Sequence, residues 1–281
     1  MNIEKRTPSG RAMRVAMYVR KVNPDYEGQV EELRKELENR GIEVTMTSPE
    51  SEVFEAGQYD FVVSVGGDGT LLSSVHHIVD SGIPVVGVNF GHLGFLTTVG
   101  RDSMSTFVDD MIEGRYTVEE RTLLHVNVKG TVNTETFALN EVSVHRMIDE
   151  SLIHTHLYVD DEFVATYDAD GLIVATPTGS TAYSLSCGGP ILTPNSGCFV
   201  ITPIGAHQLT LRPMIVPDTA TIRLVSESRS PRFSMELDSR NLTLPTESEI
   251  NVCRERFTVR LVRMNNQNFF NAIHEKLSWG C

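Results

Sequence analysis

A run of apolar residues from Val62 to Val65 leads into Gly66-Gly67-Asp68-Gly69-Thr70. A glycine-rich turn between a strand and a helix is a place where phosphates bind, because bare backbone N–H groups point at the anion. A carboxylate in the middle of such a cradle works against that purpose unless it takes part in chemistry. Phosphoryl transfer reconciles the two. There a carboxylate either holds Mg2+ between phosphates or takes the proton from an attacking hydroxyl, and both roles put a charge beside phosphate oxygens. The plain alternative is a tight turn, with glycines supplying positive φ and Asp68 acting as a turn residue or helix cap. Two other phosphate-binding signatures are absent: the sequence has no G-x-x-x-x-G-K-[ST] and no G-x-G-x-x-G behind a strand.

The elements that must position this turn alternate. "VAMYV" (Val15–Val19) is a short strand. "EGQVEELRKELENRG" follows as a helix, with Val30, Leu33 and Leu37 at helical spacing and Gly41 as its stop. Glu31–Lys35 and Glu36–Arg40 are spaced for stabilising pairs on its exposed face. "IEVTM" (Ile42–Met46) and the run before Gly66 are further strands, Thr70–Gly82 a helix, and "IPVVGVN" (Ile83–Asn89) a fourth strand. Strands alternating with helices predict a parallel sheet whose ligands bind beyond the carboxyl ends of the strands. The Gly66–Thr70 turn lies there, and so does "NFGHLGFL" (Asn89–Leu96). After about Arg115 the texture changes to short alternating runs, among them "LLHVNV", "ALNEVSVHR", "GLIVAT" and "FTVRLVRM". That period predicts an all-β region, sandwich-like. The fold class expected is therefore an α/β N-terminal domain (1–116) followed by a β-rich C-terminal domain (117–262). Phe269, Phe270, Ile273 and Leu277 predict a final helix within 263–281 that docks back on the first domain.

Composition narrows the setting. The 281 residues are enough for about two domains. A net charge of −13 argues against nucleic acid as a partner, since such binders carry a basic stripe. The basic opening has no apolar segment behind it and so is not read as a secretory signal, and no apolar run is long enough to span a bilayer. The four cysteines form no C-x-x-C pair and no zinc spacing. These features predict a cytoplasmic protein with no membrane partner. Asn241-Leu242-Thr243 matches a glycosylation sequon that has no meaning off the secretory route.

The turn resembles the G-G-D-G-[TS] signature shared by NAD kinases, diacylglycerol and sphingosine kinases, and phosphofructokinases. Further stretches separate them. "GVNFGHLGFLT", "ALNEVSVHR", "DADGLIVATPTGSTAYSLSCGGPILTP", "TPIGAHQLTLRPMIVPD" and the terminal "EKLSWG" are together similar to the NAD kinase family across nearly the whole chain. The T-P-T-G-S-T-A-Y string is the most specific of them, and lipid kinases and phosphofructokinases do not carry it. The resemblance implies an active site in the crevice between the two domains. It implies transfer of a phosphoryl group to the 2′-hydroxyl of the adenosine ribose of NAD, giving NADP. It also implies a homodimer or homotetramer whose subunits contribute to each other's sites. The small-molecule partners are then NAD and a phosphoryl donor, either ATP or inorganic polyphosphate. Mg2+ is expected to arrive with the donor, since the sequence has no all-protein metal cage. Two other readings share the scaffold: a lipid or sugar kinase, and a non-catalytic NAD(H) sensor.

On this resemblance Asp68 becomes the catalytic base or orienting group for the ribose hydroxyl. Gly67 and Gly69 let backbone amides approach phosphate, and Thr70 starts a helix whose positive end faces the anion. Asn140 and Glu141 are assigned to the nucleoside. An Asn amide suits the N6/N7 edge of adenine and a Glu carboxylate a ribose diol, and the sequence leaves open which does which. Thr178, Ser180 and Thr181 offer hydroxyls around Gly179, and Tyr183 offers a ring to stack on a base. The resemblance puts Asp170 against the nicotinamide carboxamide and the His207 loop near the site. Phe95, in "LGFL", is a candidate for lying against adenine, although an aromatic after glycine is more often core. Arg212 and Arg240 are candidates for charge on the phosphates. His154 and His156 face one side of a strand, but two ligands without a third do not make a zinc site. The chain departs from the family in two places. Some members carry Arg where Asp168 stands, which leaves the choice between NAD and NADH open. The late D-G-Q or D-S-Q is replaced by Asp238-Ser239-Arg240.

Overall fold

The computed structural model describes residues 11–21, 26–92, 94–130, 136–147, 152–264 and 268–278. The basic opening up to Gly10, Leu93 of the glycine loop and Trp279–Cys281 of the terminal motif lie outside the described residues. The chain divides into two units, one running through Glu120 and resuming at Val259, the other spanning Arg121–Thr258.

The first unit begins with β1 (Arg14–Tyr18), α1 (Glu27–Asn39), β2 (Glu43–Thr47), β3 (Phe61–Val65), α2 (Asp68–Ile78), β4 (Val85–Val88), β5 (Thr97–Val99) and α3 (Met104–Glu113). β1 pairs in parallel with both β2 and β3, and β3 pairs in parallel with β4. The order β2-β1-β3-β4 reverses direction between β1 and β3. In open α/β sheets that reversal opens a crevice at the strands' carboxyl ends, where ligands bind. The glycine turn follows β3 and therefore lies at the reversal. α1 is helical for the reasons its sequence shows: Leu33 and Leu37 are buried, and Lys35 and Arg40 pair with Glu31 and Glu36 on the outer face. Gly41 takes φ +80° just past its end. α2 starts two residues earlier than expected. Gly66 bends the chain at φ +146°, Gly67 is extended, and Asp68 is already the first helical residue.

The second unit is β-rich. β6 (Tyr116–Val128) enters it, followed by β7 (Phe137–Ala138), β8 (Glu141–His145), β9 (Ile153–Val159), β10 (Glu162–Ala169) and β11 (Gly171–Ala175). After a short α4 (Tyr183–Ser186) come β12 (Cys198–Ile204), β13 (Met214–Pro217), β14 (Ile222–Glu227), β15 (Arg232–Leu237), β16 (Arg240–Pro245) and β17 (Glu249–Met264). Among the described residues, one antiparallel sheet runs β13-β12-β11-β8-β15-β16. A second joins β10, β9, β14 and the start of β17. Val142, Leu172 and Phe233 of the first sheet share one apolar core with Leu157, Leu224 and Val252 of the second. Every second residue of β14 (Ile222, Leu224, Ser226) is buried, the period-two pattern of a strand with one face inward. The opposite face of the first sheet is also covered, because Ile173, Ala175 and Val200 pack against Leu192.

β17 outlasts the second unit. Its Leu261 pairs in parallel with Val85 of β4, so residues 259–262, expected in the β-rich domain, group with the α/β unit. α5 (Phe269–Leu277) follows there, capped by the Asn268 side chain on the Asn271 N–H, with Ile273 buried.

Candidate active site

In the first unit the motif residues gather around Asp68. Its position at the head of α2 leaves the carboxylate free to turn toward the segment Gly94–Thr97. Oδ2 accepts the Phe95 N–H at 2.7 Å. Oδ1 accepts the Leu96 N–H at 3.2 Å, the Thr97 N–H at 3.0 Å and the Thr97 hydroxyl at 3.0 Å. Thr97 Oγ1 in turn accepts the Gly94 N–H at 2.7 Å. Gly94 is required by this approach: a Cβ there would stand 1.8 Å from Asp68 Oδ1. The Phe95 carbonyl accepts from the buried Arg263, whose Nε lies 3.2 Å from Glu119. Asp68 is thus gripped by three consecutive amides and a hydroxyl, with room for one more donor on Oδ2. Beside it, Lys21, Tyr26, Gly66, Gly67, Thr70 and Asn89 line a cavity of about 190 Å3. The Thr70 N–H donates to Gly67 O at 2.8 Å, which leaves the amides of Asp68 and Gly69 at the positive dipole end of α2, where an anion is favoured. A larger groove of about 640 Å3 beside β2 is lined by Glu50, Glu52 and Glu55 and holds none of the motif residues.

In the second unit two motifs are knit together. Leu139–Glu141 leads into β8 just where its pairings with β11 and β15 end. On one side Thr176 completes the bonding, its N–H donating to Asn140 O at 2.9 Å and its hydroxyl to Leu139 O at 2.6 Å. Gly179 packs so close that a Cβ would stand 2.1 Å from Asn140 O. On the other side the Asp238 carboxylate accepts the N–H groups of Leu139, Asn140 and Glu141 at 2.9, 2.8 and 3.2 Å. With the backbone so held, the side chains are what remains to be satisfied. Asn140 and Glu141 are each only 9% exposed, and Asn140 Oδ1 and Glu141 Oε2 are buried with no hydrogen-bond partner. Burial pushes the Glu141 carboxyl up to about 8, helped by the charges of Asp238 and Glu236. Buried polar atoms without partners are costly, so this pair is poised for a ligand that hydrogen-bonds to it.

The remaining expected residues fall into distinct surroundings. Thr178 is buried, its hydroxyl 3.4 Å from the Arg121 guanidinium, and the Thr181 hydroxyl bonds back to Thr178 O. Tyr183 is partly exposed and stacks on His145, ring centroids 5.9 Å apart, leaving an aromatic face for a base. Burial lowers the His145 pKa and raises that of Tyr183. Asp170 pairs with Arg146 Nε at 2.6 Å. Ser180, expected to offer its hydroxyl to the dinucleotide, is fully buried, and that hydroxyl donates to Pro177 O at 2.7 Å and accepts the Leu192 N–H at 3.0 Å, bonds that hold the loop. Arg212 bonds the carbonyls of Leu209 and Leu211 in its own loop, and Arg240 bonds Phe137 O and lies over the Phe137 ring. His154 bonds Asp168 and His156 bonds Thr166 and Glu227. Asp168 also receives Gln208, and its carbonyl takes the His207 N–H, which ties that loop to β10. Sequence reasoning missed the roles of Thr97, Arg263, Thr176, Arg146 and Asp238. Only the Asp238 triplet was noticed, as a departure from a pattern.

Comparison with known proteins agrees with this layout. The family model described as the ATP-NAD kinase N-terminal domain matches residues 9–116, and the one described as the ATP-NAD kinase C-terminal domain matches residues 139–264. The chain is 44% identical over 230 residues to the NAD kinase of Cytophaga hutchinsonii, covering 80% of this chain and 78% of that protein. It is 43% identical over 221 residues to the NAD kinase of Porphyromonas gingivalis, covering 79% and 76%. Among solved structures it is similar to yeast NADH kinase complexed with NADH, with a TM-score of 0.85 and 26% identity over 96% of this chain and 89% of that one. An NAD kinase from Archaeoglobus fulgidus in complex with ATP gives a TM-score of 0.76 and 28% identity, covering 95% and 99%.

Proposed function

The chain belongs to the NAD kinase family and phosphorylates NAD, and from that premise we propose that Asp68 is the group that receives the proton of the ribose 2′-hydroxyl while ATP serves as donor. The observation that carries this reading is the fourfold grip on the Asp68 carboxylate at the head of α2, which fixes its direction and leaves Oδ2 able to accept one further hydrogen bond. A carboxylate pinned before the reaction needs no reorganisation as charge moves in the transition state.

The 2′-oxygen forms a bond to the γ-phosphorus, the bond from that phosphorus to the bridging oxygen breaks, ADP leaves, and the hydroxyl proton passes to Asp68. In a loose transition state the proton is lost late, so a carboxylate suffices. The glycine turn and the first amides of α2 hold phosphate oxygens. In the second unit Asn140 and Glu141 recognise the nucleoside, Tyr183 stacks on a base, Thr178 and Thr181 line the pocket and Asp170 faces the nicotinamide end. Bound to ATP, Mg2+ would supply charge neutralisation on the transferring phosphates. The NADH and ATP carried by the two structural relatives support the choice of substrates.

The test uses 31P NMR on NAD, MgATP and the protein, which should show a new 2′-phosphomonoester and equimolar ADP. Asp68→Asn should bind NAD as the wild type does by calorimetry, while kcat falls by about 10²–10⁴, the worth of a general base. Undiminished turnover in Asp68→Asn would make Asp68 a turn residue and overturn the reading.

A further inference from the structure

The β15–β16 hairpin turns on two residues, Asp238 and Ser239, between the paired Leu237 and Arg240. Asp238 takes φ +53°, a conformation that two-residue hairpins ordinarily give to glycine, asparagine or aspartate. Any of these, uncharged glycine included, makes the turn. The carboxylate is not spent on the hairpin. It is half-buried, and its loss of water raises its pKa against the opposing pull of three amides and of Arg240. Those three amides belong to Leu139, Asn140 and Glu141, nearly a hundred residues earlier in the chain. The Asp238 N–H also donates to Glu141 O at 3.0 Å. A buried carboxylate is costly unless its bonds are good, and here all the amide bonds go to one segment.

That segment is where the ladders on both sides of β8 stop. Without Asp238 its three N–H groups would need water or a different backbone path. The side chains it carries would then lose their fixed direction. We propose that Asp238 is a positioning residue for the nucleoside site: its carboxylate holds the backbone of Leu139–Glu141 so that Asn140 and Glu141 meet NAD already oriented. It acts through Asn140 and Glu141 and does not itself touch the dinucleotide. Arg240 contributes by placing its charge on Asp238 and its guanidinium on Phe137 O, next to the same segment. The proposal rests on the reading of Asn140 and Glu141 as the nucleoside residues.

Steady-state kinetics with NAD and MgATP varied separately test it. Asp238→Gly keeps the turn's conformation and removes the clamp. It should raise KM for NAD about tenfold or more, the scale of an ångström-sized misplacement, and leave KM for MgATP within about twofold. In Asp238→Gly/Asn140→Ala the loss in kcat/KM for NAD should be smaller than the product of the two single losses, because both act on one contact. Losses that multiply, or equal shifts in both KM values, would mark Asp238 as a general structural residue and overturn the proposal. Should the glycine variant fail to fold, Asp238→Asn keeps the side chain's size and one acceptor oxygen and is read by the same criteria. Failure of both to fold would overturn the proposal. If Asn140→Ala and Glu141→Gln shift KM for NAD while both Asp238 variants do not, positioning alone fails. If Asn140→Ala and Glu141→Gln leave it unchanged, the nucleoside reading fails as well.

Discussion

Replacing Glu141 by Gln should stabilise the protein, and increasingly so as the pH rises from 5 to 8. An unfolded chain ionises this carboxyl near 4.5, whereas the folded protein, with its pKa pushed up to about 8, keeps it protonated. Between those values the folded state binds one more proton than the unfolded state. Each step up in pH therefore costs the wild type stability, and above about 8 the loss levels off because both states are ionised. At roughly 1.4 kcal/mol per tenfold change in proton affinity, the gap amounts to about 3 kcal/mol at pH 7 and approaches about 5 kcal/mol in alkaline solution. Both figures are upper bounds, since water entering the site relieves part of the burial. Gln carries no such titration, so the difference between variant and wild type isolates Glu141 from every other group. In a unit of this size about 1 kcal/mol moves Tm by several degrees. Thermal unfolding of both proteins at pH 5, 6, 7 and 8 should show a Tm advantage for Glu141→Gln that is small at pH 5 and grows steadily. An advantage that stays flat across the series, or a variant that loses stability as pH rises, would refute the placement of Glu141 in a buried site beside Asp238 and Glu236. The same variant should bind NAD less well, so that the residue costs stability and serves recognition.

Two glycine substitutions probe the two units separately. Gly94→Ala puts a methyl group where the Asp68 carboxylate lies, 1.8 Å from Oδ1, so the carboxylate must leave its grip. Single-turnover rates should fall about 10²-fold with calorimetric NAD binding little changed, and a wild-type rate would show that the grip is not needed. Gly179→Ala drives a methyl group to 2.1 Å from Asn140 O, a backbone atom that has no easy retreat. Its KM for NAD should rise at least about tenfold, with a stability loss of about 1–3 kcal/mol by urea unfolding, and an unchanged KM would separate Gly179 from the nucleoside segment.

Much of this was legible in the sequence where the signal is local. Four apolar residues running into two glycines locate the end of β3, and the change from helical to alternating period near Arg115 locates the β-rich region. The difference at α2 is also local in origin: the glycine pattern predicts Asp68 as part of the turn, but Gly66 completes the bend by itself and the helix begins at Asp68. Ser180 shows where residue type misleads. A hydroxyl in a Ser/Thr-rich loop reads as a ligand contact, yet the segment around Leu192 folds over it and uses both of its bonding directions. Nothing near Ser180 in the sequence announces that cover. Asp238 is the extreme case, because its partners lie nearly a hundred residues away and its role depends on where two ladders happen to end. Sequence patterns mark faces and turns; they do not mark the last rung of a sheet.

The two units solve a similar problem with the same device. In each, an aspartate accepts three consecutive backbone amides, Phe95–Thr97 on Asp68 and Leu139–Glu141 on Asp238. Successive N–H groups that converge in this way form a concave, positively polarised nest, and an anion seated in it is held by dipoles already in place. What differs is which partner acts. On the proposed mechanism the anion in the first unit is itself the working group, and the nest aims it. In the second the nest belongs to the working residues, and the anion exists to hold them. The difference accounts for the chemistry around each. Asp68 keeps one oxygen with a single amide bond and stands next to a cavity. Asp238 is half-buried with its charge answered by the amides and Arg240, and the atoms left wanting are those of its neighbours, Asn140 Oδ1 and Glu141 Oε2. A carboxylate that works must keep a lone pair for substrate, whereas one that positions gives up its own access so that others have theirs.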